Sequence, residues 1–132
     1  MIEDTIRRIV NLHVNDANFD FNYDISPMAY NHETNTFKYS ERLCQQESKN
    51  YEFDYEHFVI LLTYHEIGHY LDFLNNPHKA EFINIPSMQD ILELGAWEYG
   101  KIIIPEDLQD DFDEVNSRNY RYYSFIIHNK LI

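Results

Sequence analysis

"YHEIGHYLDF", Tyr64 to Phe73, is the stretch on which the reading of this chain turns. It places His65 and His69 four positions apart, with Glu66 directly after the first. Its surroundings are apolar on two sides. One stripe is Phe58, Leu61, Leu62, His65, His69 and Phe73; the other carries Ile60, Tyr64, Ile67, Leu71 and Leu74. Apolar residues on both sides at helical spacing predict a central, buried helix. Asp54 is placed to cap it, and "NNPHK" should break it after about Asn75.

At helical pitch His65 and His69 lie one above the other on a single face. Two neutral imidazoles in that position can reach one Zn²⁺ at about 2.0–2.1 Å each. Glu66 is turned about a third of a turn away, placed to take a proton from an attacking water rather than to hold the metal. Composition alone produces this H-E-x-x-H pattern about 0.03 times in such a chain. Burying two histidines without partners is costly, and a metal is the simplest partner for both. The plain alternative is a pair of core histidines satisfied by tyrosines or carboxylates. Gly68 adds to the argument, because a glycine inside a helix costs about 1 kcal/mol relative to alanine. The spacing therefore predicts that another element approaches closely there, the element that brings a third ligand.

A catalytic zinc has three protein ligands and an open position for water. Six residues after His69 stands Asn75, a poor ligand. Asp72 suits a role in orienting a ligand from behind. The next helical segment, "DILELGAWEYG", offers Glu93 and Glu98. Five positions separate them, about 140° around a helix, so both cannot face one ion. The stripe of Asp90, Glu93 and Trp97 favours Glu93 only slightly.

The rest of the chain reads as one domain over residues 1–132. Ile2, Ile6, Ile9 and Val10 predict a first helix over 2–16, and the alternation of Phe19, Phe21, Tyr23 and Ile25 predicts a strand. "MAYNHETNTFKYS" predicts a hairpin with arms near 28–31 and 36–40. Residues 41–53 show no clear pattern. Ser87 is placed to cap a helix stopped by Pro105, which suits the first turn of a last helix carrying Leu108, Phe112 and Val115, then Tyr122, Phe125 and Ile126.

The formal net charge is −13, which disfavours nucleic-acid phosphates and anionic membranes alike. A single cysteine, Cys44, excludes an internal disulfide. "MIEDTIRRIV" lacks the apolar core of a signal peptide, and no run approaches the ~20 apolar residues of a membrane span. A cytoplasmic protein is expected. Three glycines leave no Gly-rich phosphate loop. His13, His32, His57 and His128 lack ligand-like spacing, and "EDLQDDFDE" reads as a solvated helix face.

"YHEIGHYLDF" followed 24 positions after His69 by "ELGAWEYGKIIIP" resembles the ImmA/IrrE-type metallopeptidases found with phages and mobile elements. There a Glu-x-x-Ala helix start supplies the third ligand, and Glu93 and Ala96 match that pair; "IIIP" resembles the helix end. The hairpin "AYNHETNTFKYS" is similar to the strand pair that precedes the active helix. The likeness covers roughly residues 25–110. Trp97 and Glu98 depart from the residues more often seen after that alanine, and no helix-turn-helix domain is recognisable. The resemblance implies a small α+β zincin: a central active-site helix, a short mostly antiparallel sheet and flanking helices. It also implies zinc on His65, His69 and Glu93, and an edge strand near Thr36–Tyr39 that holds an extended peptide.

With Glu66 as general base, the expected activity is zinc-dependent hydrolysis of a peptide bond in a specific cytoplasmic protein, such as a phage or mobile-element regulator. The acidic balance favours a substrate with a basic region. Oxyanion donors are open among eleven tyrosines and His78. The rival is an acidic zinc-containing binding protein without proteolytic activity, an antagonist of a basic or nucleic-acid-binding partner. An intact Glu66 and the lack of an evident fourth ligand argue against it.

Overall fold

Helix α3 (Tyr55–Asn75) is central and packs against the helices before and after it and against one strand of the sheet. The Asp54 carboxylate accepts the His57 amide at 2.8 Å and starts it. Phe58, Leu61, Leu62, Tyr64 and Ile67 of the two stripes are buried, with Val59 between them, whereas Leu74 in the last turn is 62% exposed. The computed structural model describes residues 1–130, with side chains described for 1–120. The sequence stretch holding Tyr122, Phe125, Ile126 and His128 lies outside the described side chains.

Before α3 come α1 (Ile2–His13), β1 (Asn18–Asp20), β2 (Met28–Asn31), β3 (Thr36–Tyr39) and α2 (Glu41–Ser48). After it come α4 (Gln89–Ile103) and α5 (Gln109–Lys130), with 3-10 turns at Pro77–Phe82, Pro86–Met88 and Glu106–Leu108. The architecture is α+β. No helix among the described residues is long and apolar enough to cross a membrane.

Both expectations for the N-terminal region run too long. α1 stops at His13 because Val14 is extended and Asp16 takes a left-handed φ of 56°. β1 stops at Asp20, whose carboxylate accepts the Asn22 amide at 3.0 Å and turns the chain. The alternation beyond it reflects aromatic packing rather than a ladder: Phe21 stacks on Phe19 at 5.7 Å, under the Arg7 guanidinium at 4.7 Å.

The hairpin arms fall at β2 and β3, joined by a turn in which Asn31 accepts the Glu33 amide at 2.9 Å and Asn35 is left-handed. The sheet order is β1-β3-β2, with β3 parallel to β1 and antiparallel to β2. It is therefore mixed rather than mostly antiparallel, and Thr36–Tyr39 is its central strand, not an edge. α1 returns the chain so that β1 runs alongside β3, where the Asn35 amide spans to the Asn15 carbonyl at 2.8 Å.

The featureless stretch after Tyr39 holds α2, capped by Ser40, whose hydroxyl accepts the Leu43 amide at 3.2 Å. Cys44 is buried there, its thiol at 3.3 Å from the Pro27 carbonyl and pushed up to about 12 by burial, then by Glu47 and Glu66. Ser87 does not cap α4; it lies in a 3-10 turn, and α4 begins after Met88 without a side-chain cap. Pro105 precedes a 3-10 turn rather than occupying the first turn of α5.

Candidate metal centre

The two helices that carry the motif residues cross backbone to backbone. A Cβ built on Gly68 would stand 2.0 Å from the Ala96 carbonyl oxygen of α4. No real side chain fits there, so the close approach expected at Gly68 is realised, and α4 is the approaching element. Gly95 lies against the buried Asp72 carboxylate, and Gly100 against the Tyr64 carbonyl. All three glycines of the chain thus serve this one crossing.

The crossing sets Glu93 opposite the histidine pair. His65 Nε2 is 2.8 Å from Glu93 Oε2, and His69 Nε2 is 3.4 Å from Glu93 Oε1. The three side chains offer ligand atoms all within 4.8 Å of one another, the only such group among the described residues. Donors held about 2.0–2.1 Å from a tetrahedral zinc stand roughly 3.3 Å apart. Two imidazoles and one carboxylate at these separations fit that ion with little movement. Glu98 is exposed on another face of α4, as the 140° argument requires.

His65 is raised to about 9: burial acts to lower it, and the charge and hydrogen bond of Glu93 outweigh that. Burial acts to raise Glu93, but His69 and His65 hold it well below the usual carboxylate range. Glu66 is buried beside them and lines the same cleft. Burial raises its pKa, His65 and His69 oppose this, and Glu93 adds to it. A carboxylate shifted upward by its surroundings is a better proton acceptor near neutral pH than a free one.

The cleft holds about 640 Å³. Its floor is α3 at His65, Glu66 and His69, one wall is α4 at Gln89, Leu92 and Glu93, and the other is Ser26 to Tyr30. That second wall is the open edge of β2. The Ser40 amide donates to the Pro27 carbonyl at 3.0 Å, which makes Pro27–Ser40 a hydrogen-bonded pair. By antiparallel alternation Met28 and Tyr30 then turn their backbone groups outward to the cleft side, where the Met28 carbonyl accepts the Ser26 hydroxyl at 3.2 Å.

Other expectations meet different outcomes. The Asp72 carboxylate is fully buried and bonded to Lys79 at 2.9 Å and to the Asn76 side-chain amide at 2.9 Å, rather than to a clustered residue. His78 is exposed and lies outside the cleft lining. Tyr30 and Tyr51 are the tyrosines on the cleft wall among the described residues, and the Tyr30 hydroxyl donates to Asn35 at 2.8 Å. His57 is satisfied by Asp111 at 2.8 Å. The acidic run is not merely solvated: Asp113 accepts Trp97 Nε1 at 2.7 Å and pairs with Lys101 at 2.7 Å, fastening α5 to α4.

One residue escaped the reading of the sequence. Asn116 of α5 is buried, with Oδ1 2.6 Å from His65 Nδ1. The available signal was an uncharged amide four residues after Phe112, inside an apolar stripe. Comparison with protein-family models, with curated proteins and with solved structures finds no match for this chain.

Proposed function

We propose that this chain is a zinc-dependent endopeptidase of the ImmA/IrrE-like zincin type, with His65, His69 and Glu93 holding the ion and Glu66 as general base. The observation that carries the reading is the convergence of two neighbouring histidines and a carboxylate from a different helix, with a second, upward-shifted carboxyl in the same cleft. When bound, zinc supplies Lewis acidity, activating water near neutral pH and polarising a carbonyl. Glu66 takes the proton of the attacking water and hands it to the leaving amine. The outward backbone groups of Met28 and Tyr30 give an extended peptide a strand to pair with, moving the expected docking edge from β3 to β2. Tyr51 and Asn119 remain as donors along the cleft for the developing oxyanion.

The cleft carries Glu47, Glu66 and Glu93 and no lysine or arginine among its described lining residues. This favours a substrate with a basic region, such as a phage or mobile-element regulator. The test uses zinc-loaded wild type and Glu66→Gln incubated with a cellular extract and with unfolded casein, new N-termini being mapped by mass spectrometry. A few zinc-dependent cleavages by wild type and none by the folded, zinc-bound Glu66→Gln are expected. Equal cleavage by both removes Glu66 as the base. Rapid digestion of casein removes the specificity. A stable complex without any cleavage favours the acidic binding protein instead.

A further inference from the structure

We infer that Asn116 is a positioning residue that selects which nitrogen of His65 faces the metal, an assignment that rests on the metal site proposed above. An imidazole has two nitrogens, and the hydrogen bond made by one decides the role of the other. His65 Nδ1 is 2.6 Å from Asn116 Oδ1, while its Nε2 points at Glu93. The Asn116 amide has its own anchor: Nδ2 donates to the Phe112 carbonyl at 2.8 Å. A carbonyl can only accept, so that contact settles which end of the amide carries hydrogens. Oδ1 is left to face His65, and as an acceptor it requires the proton on Nδ1. In the neutral ring the Nε2 lone pair is then free toward Glu93.

Both partners are buried, His65 at 7% and Asn116 at 3% exposure, so water has little room to replace either bond. α5 holds no ligand, yet it is held in register by the bonds from Asp111 to α3 and from Asp113 to α4, which stand within the turn and a half before Asn116. The helix that supplies no ligand thus backs the ligand pair and fixes its tautomer.

The test compares wild type, Asn116→Ala and Asn116→Asp by zinc affinity against a competing chelator. The exchange of the His65 Nδ1 proton is followed by ¹H–¹⁵N spectroscopy, and the fold of each metal-free protein by circular dichroism. Asn116→Ala should keep the fold, lose the protected Nδ1 proton and bind zinc about ten- to hundredfold more weakly. Asn116→Asp, which keeps an acceptor in place, should retain the proton and restore affinity to within about tenfold of wild type. A merely structural asparagine would make both variants lose affinity alike; that result overturns the inference, as does unchanged affinity in Asn116→Ala. Should wild type hold no zinc, the peptidase proposal fails, and the Nδ1 proton, read at a pH alkaline enough for a neutral ring, decides the positioning: its absence from wild type or its persistence in Asn116→Ala overturns it, and its selective loss in Asn116→Ala sustains it.

Discussion

The two walls of the cleft are held by opposite means. On the α3–α4 side backbone meets backbone, so tightly at Gly68 that one added carbon would stand 2.0 Å from the Ala96 carbonyl oxygen. On the sheet side β2 is laddered to β3 and meets α3 through side chains, with the Tyr30 ring 6.1 Å from Tyr70 and 4.8 Å from Phe37. Aromatic contacts of this kind are broad and adjustable, whereas a backbone crossing has no slack. The difference is instructive because the rigid wall carries all three candidate ligands, and the adjustable one faces where a peptide would lie.

The largest effect should follow from breaking the rigid side. Gly68→Ala forces α4 away from α3 and should cost about 3 kcal/mol or more, with zinc binding lost as Glu93 moves off the histidines. Wild-type stability and zinc affinity in that variant would show that the crossing does not set the site. Both quantities come from chemical denaturation and chelator competition.

A smaller effect should come from the sheet. Phe37→Leu removes part of a buried ring and should cost about 1–2 kcal/mol, with zinc affinity unchanged within about twofold. A zinc loss comparable to that of Gly68→Ala would erase the distinction between the walls.

The smallest effect is in pH, since the gain of a buried ion pair is largely offset by its desolvation. In the metal-free protein the raised His65 contributes stability in full below its ordinary 6.5, and loses it as pH climbs through about 9. The lowered Glu93 contributes above its ordinary 4.5 and loses its contribution as pH falls. Glu66, shifted upward, subtracts stability as pH rises past 4.5, which moves the optimum toward the acid end of that window. Thermal unfolding of metal-free protein should therefore peak between about pH 4.5 and 6.5 and decline toward pH 9. In Glu93→Gln the decline attributable to His65 should flatten; an unaltered profile would mean the pair is not coupled.

Much of the rigid wall was legible from residue spacing. The double apolar stripe, the capping Asp54 and the mid-helix Gly68 each have one physical reading, and the helix, its start and the close approach of α4 follow from them. Glu93 over Glu98 was only weakly legible, because helical angle separates the two carboxylates without saying which one faces α3. The sheet was legible as a strand and a hairpin but not in its order or in the parallel pairing of β1 with β3. Which strand becomes central depends on where β1 is delivered after α1, and that turn rests on a left-handed Asp16 with no glycine to mark it. Asp72 illustrates the remaining difficulty. Its place near the motif suggested a role behind a ligand, but the side chain leans toward Lys79, seven residues on, and only the 3-10 turn at Pro77–Phe82 brings that lysine within reach.

The deciding measurement is the coordination sphere of zinc in the loaded protein, determined by X-ray absorption together with anomalous diffraction from crystals. One zinc per chain is expected, bound by the Nε2 atoms of His65 and His69 and the carboxylate of Glu93, with water in the remaining position. A fourth protein ligand, or stoichiometric zinc that survives His65→Ala/His69→Ala, would contradict it.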